Sequence, residues 1–188
     1  LPKELLKLTH LRSLDFSDNP ISDYSSLSNL PKLKHLYFND NQILDYSFLL
    51  AMKNLDTLSL SNNHISAIHF LENLSNLKAL HLSNNQISDI QPNALKNLTS
   101  LHTLYLRGNG ISDISFLENL NNLVSLDLSN NHISDIRFLK NLTKLYNLDL
   151  TNNQISDINC LNELGMNRII EYLDLSNNRI KDLTPILP

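Results

Sequence analysis

Apolar and polar positions recur along this chain on a fixed schedule. In the run LHTLYL, Leu101 to Leu106, Leu104 and Leu106 alternate with polar neighbours. That period of two is the mark of a strand buried on one face. The same pair returns as Leu14/Phe16, Leu36/Phe38, Leu58/Leu60 and Leu80/Leu82, and again beyond Leu106. Three residues after each pair stands an asparagine: Asn19, Asn41, Asn63, Asn85, Asn109, Asn131, Asn153 and Asn178. The steps between them are 22, 22, 22, 24, 22, 22 and 25 residues, so one unit is repeated eight times.

A second apolar group closes each unit, as in Ile111, Ile114, Phe116, Leu117 and Leu120. A strand this short cannot bury its apolar face alone, but stacked copies shield one another. Pairing between copies then predicts a parallel sheet with rungs about 4.8 Å apart. The predicted fold is an α/β, right-handed solenoid. Its parallel β-sheet forms the concave face, and short helical turns or loops form the convex face. After each strand the chain must turn inward. A buried asparagine amide both donates and accepts, so the Asn column is read as the group that pairs the backbone of that turn.

The best-formed copy, Leu123 to Ile133, reads L-x-x-L-x-L-x-x-N-x-I. With its eight repetitions it resembles the leucine-rich repeat superfamily. The 22-residue length and the I-S-D-I-x-F-L segment are most similar to SDS22-like repeats of phosphatase regulators and to bacterial internalins. The resemblance implies a horseshoe-shaped solenoid that binds other proteins.

Departures from the unit carry local predictions. Residues 1–10 read as a partial N-terminal unit, with Pro2 starting a helical cap and Leu5 and Leu8 in core register. Residues 11–180 hold the full repeats and 181–188 an incomplete one, within a single domain read as part of a longer protein. Ala67 replaces the usual Asp. The insertion Gln91-Pro92-Asn93-Ala94 predicts a longer convex turn. Gly108 and Gly110 flank Asn109 and predict a looser turn there. Three extra residues within Leu161 to Ile170 predict a short true helix. The Ser-Asp pairs at 22–23, 88–89, 112–113, 134–135 and 156–157 suit caps of short helical turns.

Composition narrows the function further. The 188 residues carry a net charge of −4 with no basic run, which argues against nucleic acid as the main partner. No apolar stretch approaches the roughly 20 residues of a membrane span. Cys160 is the single cysteine and stands where Phe48, Phe70, Phe116 and Phe138 stand elsewhere, so it is read as a core filler. One cysteine allows no intrachain disulfide, which favours a reducing compartment. Asn73-Leu-Ser75, Asn97-Leu-Thr99 and Asn141-Leu-Thr143 match the glycosylation pattern, but they share one repeat register and follow from repetition. No phosphate-binding glycine loop, catalytic triad or metal-ligand spacing stands out, so no cofactor and no small-molecule substrate are expected.

Positions between the strand leucines vary while the unit does not, and they face the concave side. Two patches emerge there. One holds His35, Tyr37, His81, Tyr105 and Arg107, residue types that anchor protein interfaces. The other holds Asp127, Asp149 and Asp174, with Tyr172 in the neighbouring column; like charges on adjacent rungs repel, and a basic partner would relieve them. The expected function is a non-enzymatic, monomeric module binding another protein. On resemblance, an internalin-like or effector-like setting makes it a bacterial protein that grips a host protein, translocated into the host cell if it is an effector. An SDS22-like setting makes it a cytoplasmic phosphatase scaffold. The recognition arm of a larger ligase or kinase, or a plain spacer, are further readings.

Overall fold

The period-two runs become strands, each three residues long. The computed structural model describes residues 3–21, 24–164 and 170–187. Strands β1 (Ser13–Asp15), β2 (His35–Tyr37), β3 (Thr57–Ser59), β4 (Ala79–His81), β5 (Thr103–Tyr105), β6 (Ser125–Asp127), β7 (Asn147–Asp149) and β8 (Tyr172–Asp174) form one parallel sheet in chain order. Register follows the repeat: Leu14, Leu36, Leu58, Leu80, Leu104, Leu126, Leu148 and Leu173 stand side by side. Pairing runs past the strand ends, with Phe16 N–H donating to Tyr37 O and Asp18 N–H to Asn39 O, both at 2.9 Å. A second ladder joins the turns, as in Gln86 N–H to Ile65 O and His132 N–H to Ile111 O.

The core is the stack of inward columns. Leu58, Leu80, Leu104, Ile111, Ile114, Phe116, Leu117 and Leu120 are fully buried. Its N-terminal third is aromatic: Phe16 stacks on Phe38 at 5.9 Å, and Tyr24 meets Phe38 edge-on at 4.6 Å. Further along the core is aliphatic, with Phe116 among the leucines. The terminal rungs have a neighbour on one side only, and Leu14, Phe16, Leu173 and Leu175 are accordingly half-buried.

The Asn column works as the sequence reading requires. Asn131 donates its amide to Leu106 O, Leu128 O and Ser129 O at 3.1, 3.0 and 3.2 Å and accepts from Ile111 N–H at 3.1 Å. It thus ties its own turn to the previous coil. The residue before each of these asparagines was not singled out from sequence. Asp18, Asp40, Asn62, Asn84, Gly108, Asn130, Asn152 and Asn177 all adopt positive φ, between 54° and 65°. Only Gly, Asn and Asp visit that region readily, and only those three occupy the column. Gly108 therefore fills the same slot as its counterparts (φ 65°), and the looser turn expected around it is not formed.

Convex segments are mostly single 3-10 turns, at Ser25–Asn29, Ser47–Ala51, His69–Leu71, Ser115–Asn119, Arg137–Asn141 and Thr184–Ile186. The acidic residue two places upstream often caps them: Asp45, Asp113, Asp135 and Asp182 accept from the N–H of Ser47, Ser115, Arg137 and Thr184. In the inserted unit Asp89 instead accepts from the Gln91 side chain, and residues 92–97 form successive turns. One α-helical turn forms at Cys160–Glu163, early in the lengthened unit. The N-terminal segment is a 3-10 helix, Lys3–Lys7, with Leu5 packed on the core and Leu8 half exposed. The expectations for Pro2, for Ser22-Asp23 and for residues 165–169 lie outside the described residues.

Candidate functional site

Each strand offers its first and third residues to the concave side and its central leucine to the core, so the sheet carries columns of side chains at about 4.8 Å spacing. His81 and Tyr105 are register partners on β4 and β5. Their rings stack, with centroids 4.8 Å apart and planes tilted by 22°. Tyr105 Oη lies 3.3 Å from Ser125 Oγ on the next rung. Both residues are half-buried, and burial pushes the His81 imidazole below the ordinary histidine pKa. Burial thus disfavours charging of a ring that lies flat against an aromatic neighbour, a surface of the kind that anchors interfaces.

His35 and Tyr37 stand on β2, two rungs from His81. His35 Nδ1 is 3.1 Å from Thr57 Oγ1. Ser59 lies between Tyr37 and His81 in the same column and is buried, its hydroxyl donating to Asn39 Oδ1 at 2.6 Å. The first patch is therefore two aromatic groups separated by a dip. Arg107 lies on the turn side of β5, exposed and without an ion pair among the described residues.

Asp127, Asp149 and Asp174 occupy adjacent rungs. Each spends Oδ1 on its own turn, accepting the backbone N–H of Ser129, Thr151 or Ser176 at 2.9 Å. Asp127 also takes the Ser129 hydroxyl at 2.6 Å. Tyr172, half exposed, donates to Asp174 Oδ2 at 3.4 Å. A shallow hollow lies here, lined by Tyr105, Ser125, Leu126, Asp127, Asn147, Asp149 and Tyr172. The structure thus brings members of both patches, Tyr105 with Asp127, Asp149 and Tyr172, around one depression.

Two features escaped the sequence reading. In the column just after each strand, where Arg107 stands, the small polar members are used by the sheet: Ser129 is buried, and Asn39 accepts Ser61 N–H. On the other side, the residues just before the strands form a charged edge. Lys34 and Lys78 both pair with Asp56, at 3.3 and 3.5 Å. A spacing of 22 residues with alternating charge was the available signal.

Cys160 is half-buried, its thiol donating to Ile136 O at 3.2 Å. Burial, with the nearby carboxylates Asp157, Glu163 and Asp135, pushes its pKa up to about 11. Among the described residues no cluster of His, Cys, Asp or Glu could hold a metal ion, and no helix is long and apolar enough to cross a membrane.

Comparison with known proteins places this arrangement. The profile for leucine-rich repeats in two copies matches residues 9–51, 53–97, 75–119, 99–140 and 121–163, and that for a single leucine-rich repeat matches 170–188. No curated protein sequence matches the chain. Among solved structures, an internalin of Listeria monocytogenes (inlF) shares 35% identity at TM-score 0.85, over 97% of this chain and 59% of its own. Internalin C2 of the same organism shares 31% at TM-score 0.89, over 99% and 79%. The leucine-rich-repeat ectodomain of an Arabidopsis thaliana membrane receptor kinase, solved in complex with Casparian strip integrity factor 2, shares 28% at TM-score 0.81, over 99% and 24%. This chain thus spans somewhat less than two thirds of the first internalin's length. The eight-rung sheet, the buried asparagine ladder and these matches make the chain a member of the leucine-rich repeat family.

Proposed function

We propose that this chain is a non-catalytic module that binds a partner protein across its concave face. The observation that carries the reading is the His81–Tyr105 stack at the middle of the sheet. Two rings fixed against each other lose little conformational freedom when a partner covers them, so burying them yields net affinity. His35 and Tyr37 extend the contact toward one end, Arg107 toward the turn side of β5, and Asp127, Asp149, Tyr172 and Asp174 toward the other end. Eight rungs at about 4.8 Å give a face roughly 34 Å long, within reach of an interface of ordinary size.

The likeness to two Listeria internalins supports a bacterial setting in which the partner is a host protein. The plant ectodomain solved with its factor supports the use of this fold for holding another molecule. The test is affinity capture with mass spectrometry, comparing the wild-type chain with a Tyr37→Ala/Tyr105→Ala/Arg107→Ala variant of unchanged stability. Loss of the two tyrosines alone, at about 2 kcal/mol each, weakens binding by more than roughly a hundredfold and removes the partner from the capture. Equal recovery by both baits refutes the concave site.

A further inference from the structure

We propose that the β5–β8 half of the concave face receives a basic segment of the partner, its lysine or arginine side chains lying over Asp127, Asp149 and Asp174 and against Tyr105 and Tyr172. This deepens the concave-face reading and rests on it.

Charge complementarity selects the occupant. The three carboxylates share adjacent rungs about 4.8 Å apart, where like charges repel. No lysine, arginine or histidine pairs with them among the described residues; the ion pairs found there involve Asp56 and Asp135. Oδ1 of Asp127 and of Asp149 is taken by the local turn, while Oδ2 of each has no hydrogen-bond partner among the described residues. Each carboxylate is therefore oriented by one oxygen and offers the other. The hollow beside them is walled by Tyr105 and Tyr172. A guanidinium or ammonium seated there meets carboxylates and tyrosine rings, both of which attract a cation. Tyr172 feels the same field: burial first, then Asp174, Asp149 and Asp127, raise its hydroxyl pKa.

Geometry sets the form of the segment. Asp127 to Asp174 spans two rungs, about 10 Å. An extended chain lying along the stack covers that distance in three residues, and one arginine fork can bridge two neighbouring carboxylates. The other half of the face differs, since Lys34 and Lys78 border it and the rings of His35, Tyr37 and His81 stand on it. The contrast along the axis fixes which way round the segment lies.

Fluorescence anisotropy on the full chain tests this. The probes are a labelled ten-residue Gly-Ser peptide carrying arginine at every third position and the same peptide with glutamine in place of arginine. The basic peptide is expected to bind at least tenfold more tightly, less so as salt rises. Asp127→Asn/Asp149→Asn keeps an oxygen for the Ser129 and Thr151 N–H groups, so the turns persist, and it weakens binding about 5- to 30-fold. Tyr172→Ala, which leaves every charge in place, weakens it about threefold. Asp89→Asn/Asp113→Asn removes the same charge from the convex side and changes it less than twofold. Equal loss with the two double variants, or no preference for the basic peptide, overturns the proposal. Capture of the natural partner separates the two readings. Loss with Tyr37→Ala/Tyr105→Ala/Arg107→Ala but not with Asp127→Asn/Asp149→Asn leaves the concave site standing and removes the basic segment. Loss with neither removes both.

Discussion

Replacing Asn131 by alanine tests whether the solenoid is held by its asparagine ladder. The amide of Asn131 donates to three carbonyls, yet none of them depends on it alone. Leu106 O also receives Asn109, Leu128 O receives Asn153, and Ser129 O receives Gly108 N–H. The Ile111 N–H is different, because Asn131 Oδ1 is its acceptor and the site is buried. An orphaned buried N–H costs about 1–3 kcal/mol, and the lost donations add about 1 kcal/mol. Asn131→Ala is expected to destabilise by about 3 kcal/mol. Asn19 holds the same place in the first full coil, but there it is exposed and donates only to Ser17 O and Phe16 O. Asn19→Ala should cost less than about 1 kcal/mol. Urea titrations followed by circular dichroism measure both; with a slope of about 2–3 kcal/mol per molar, Asn131→Ala moves the midpoint down by roughly 1–1.5 M. Asn131→Asp keeps the acceptor but sets a carboxylate against three carbonyls, so it should be worse than alanine at pH 7. Its folded-state pKa is then raised, the folded state holds the extra proton, and stability recovers as pH is lowered. Midpoints for Asn131→Ala and Asn19→Ala within about 0.3 M of each other would refute the idea that the ladder joins coil to coil.

Three further outcomes follow from the same contacts. Gly108→Ala should cost about 1–2 kcal/mol in a chemical melt, because φ is +65° and its Cβ meets the Asn84 side chain; Gly108→Asn should cost less, since asparagine holds this slot in five other coils. Tyr24 Oη donates to Asn41 Oδ1 at 3.3 Å, whereas buried Tyr46 Oη has no partner among the described residues, so Tyr24→Phe should destabilise by about 1 kcal/mol and Tyr46→Phe should be neutral or stabilising. His81 binds its proton less readily folded than unfolded, so it draws stability down as pH falls below the ordinary value of 6.5 toward the lowered one. An NMR titration should place its midpoint below the ordinary value, and His81→Phe should flatten that part of the stability profile relative to wild type.

Periodicity made the architecture readable because each unit solves the same burial problem in the same way. Leu58, Leu80 and Leu104 fall in one column, and nothing but stacking buries all three. The candidate site was less legible, because its properties belong to pairs of rungs. His81 and Tyr105 are 24 residues apart in a chain of 22-residue units, and only the register across the insertion shows that they meet. The left-handed column had a visible signal, Asp, Asn or Gly at every copy, but its cause is a backbone angle that composition does not state.

The same logic explains why the inner wall is not uniformly available. Ser59 and Tyr105 stand in one column, yet Ser59 is buried and bonded to Asn39, while Tyr105 rises against His81 and borders the acidic hollow. A small polar side chain at this position falls within reach of neighbouring turns and is used to hold them. A large one cannot be absorbed and stands proud of the sheet. Size, then, decides which members of a column serve the fold and which remain for a partner. By that criterion Tyr37, His81, Tyr105 and Tyr172 belong to the second group. Asp127 and Asp149 belong to both: each gives one oxygen to its turn, and both residues line the hollow.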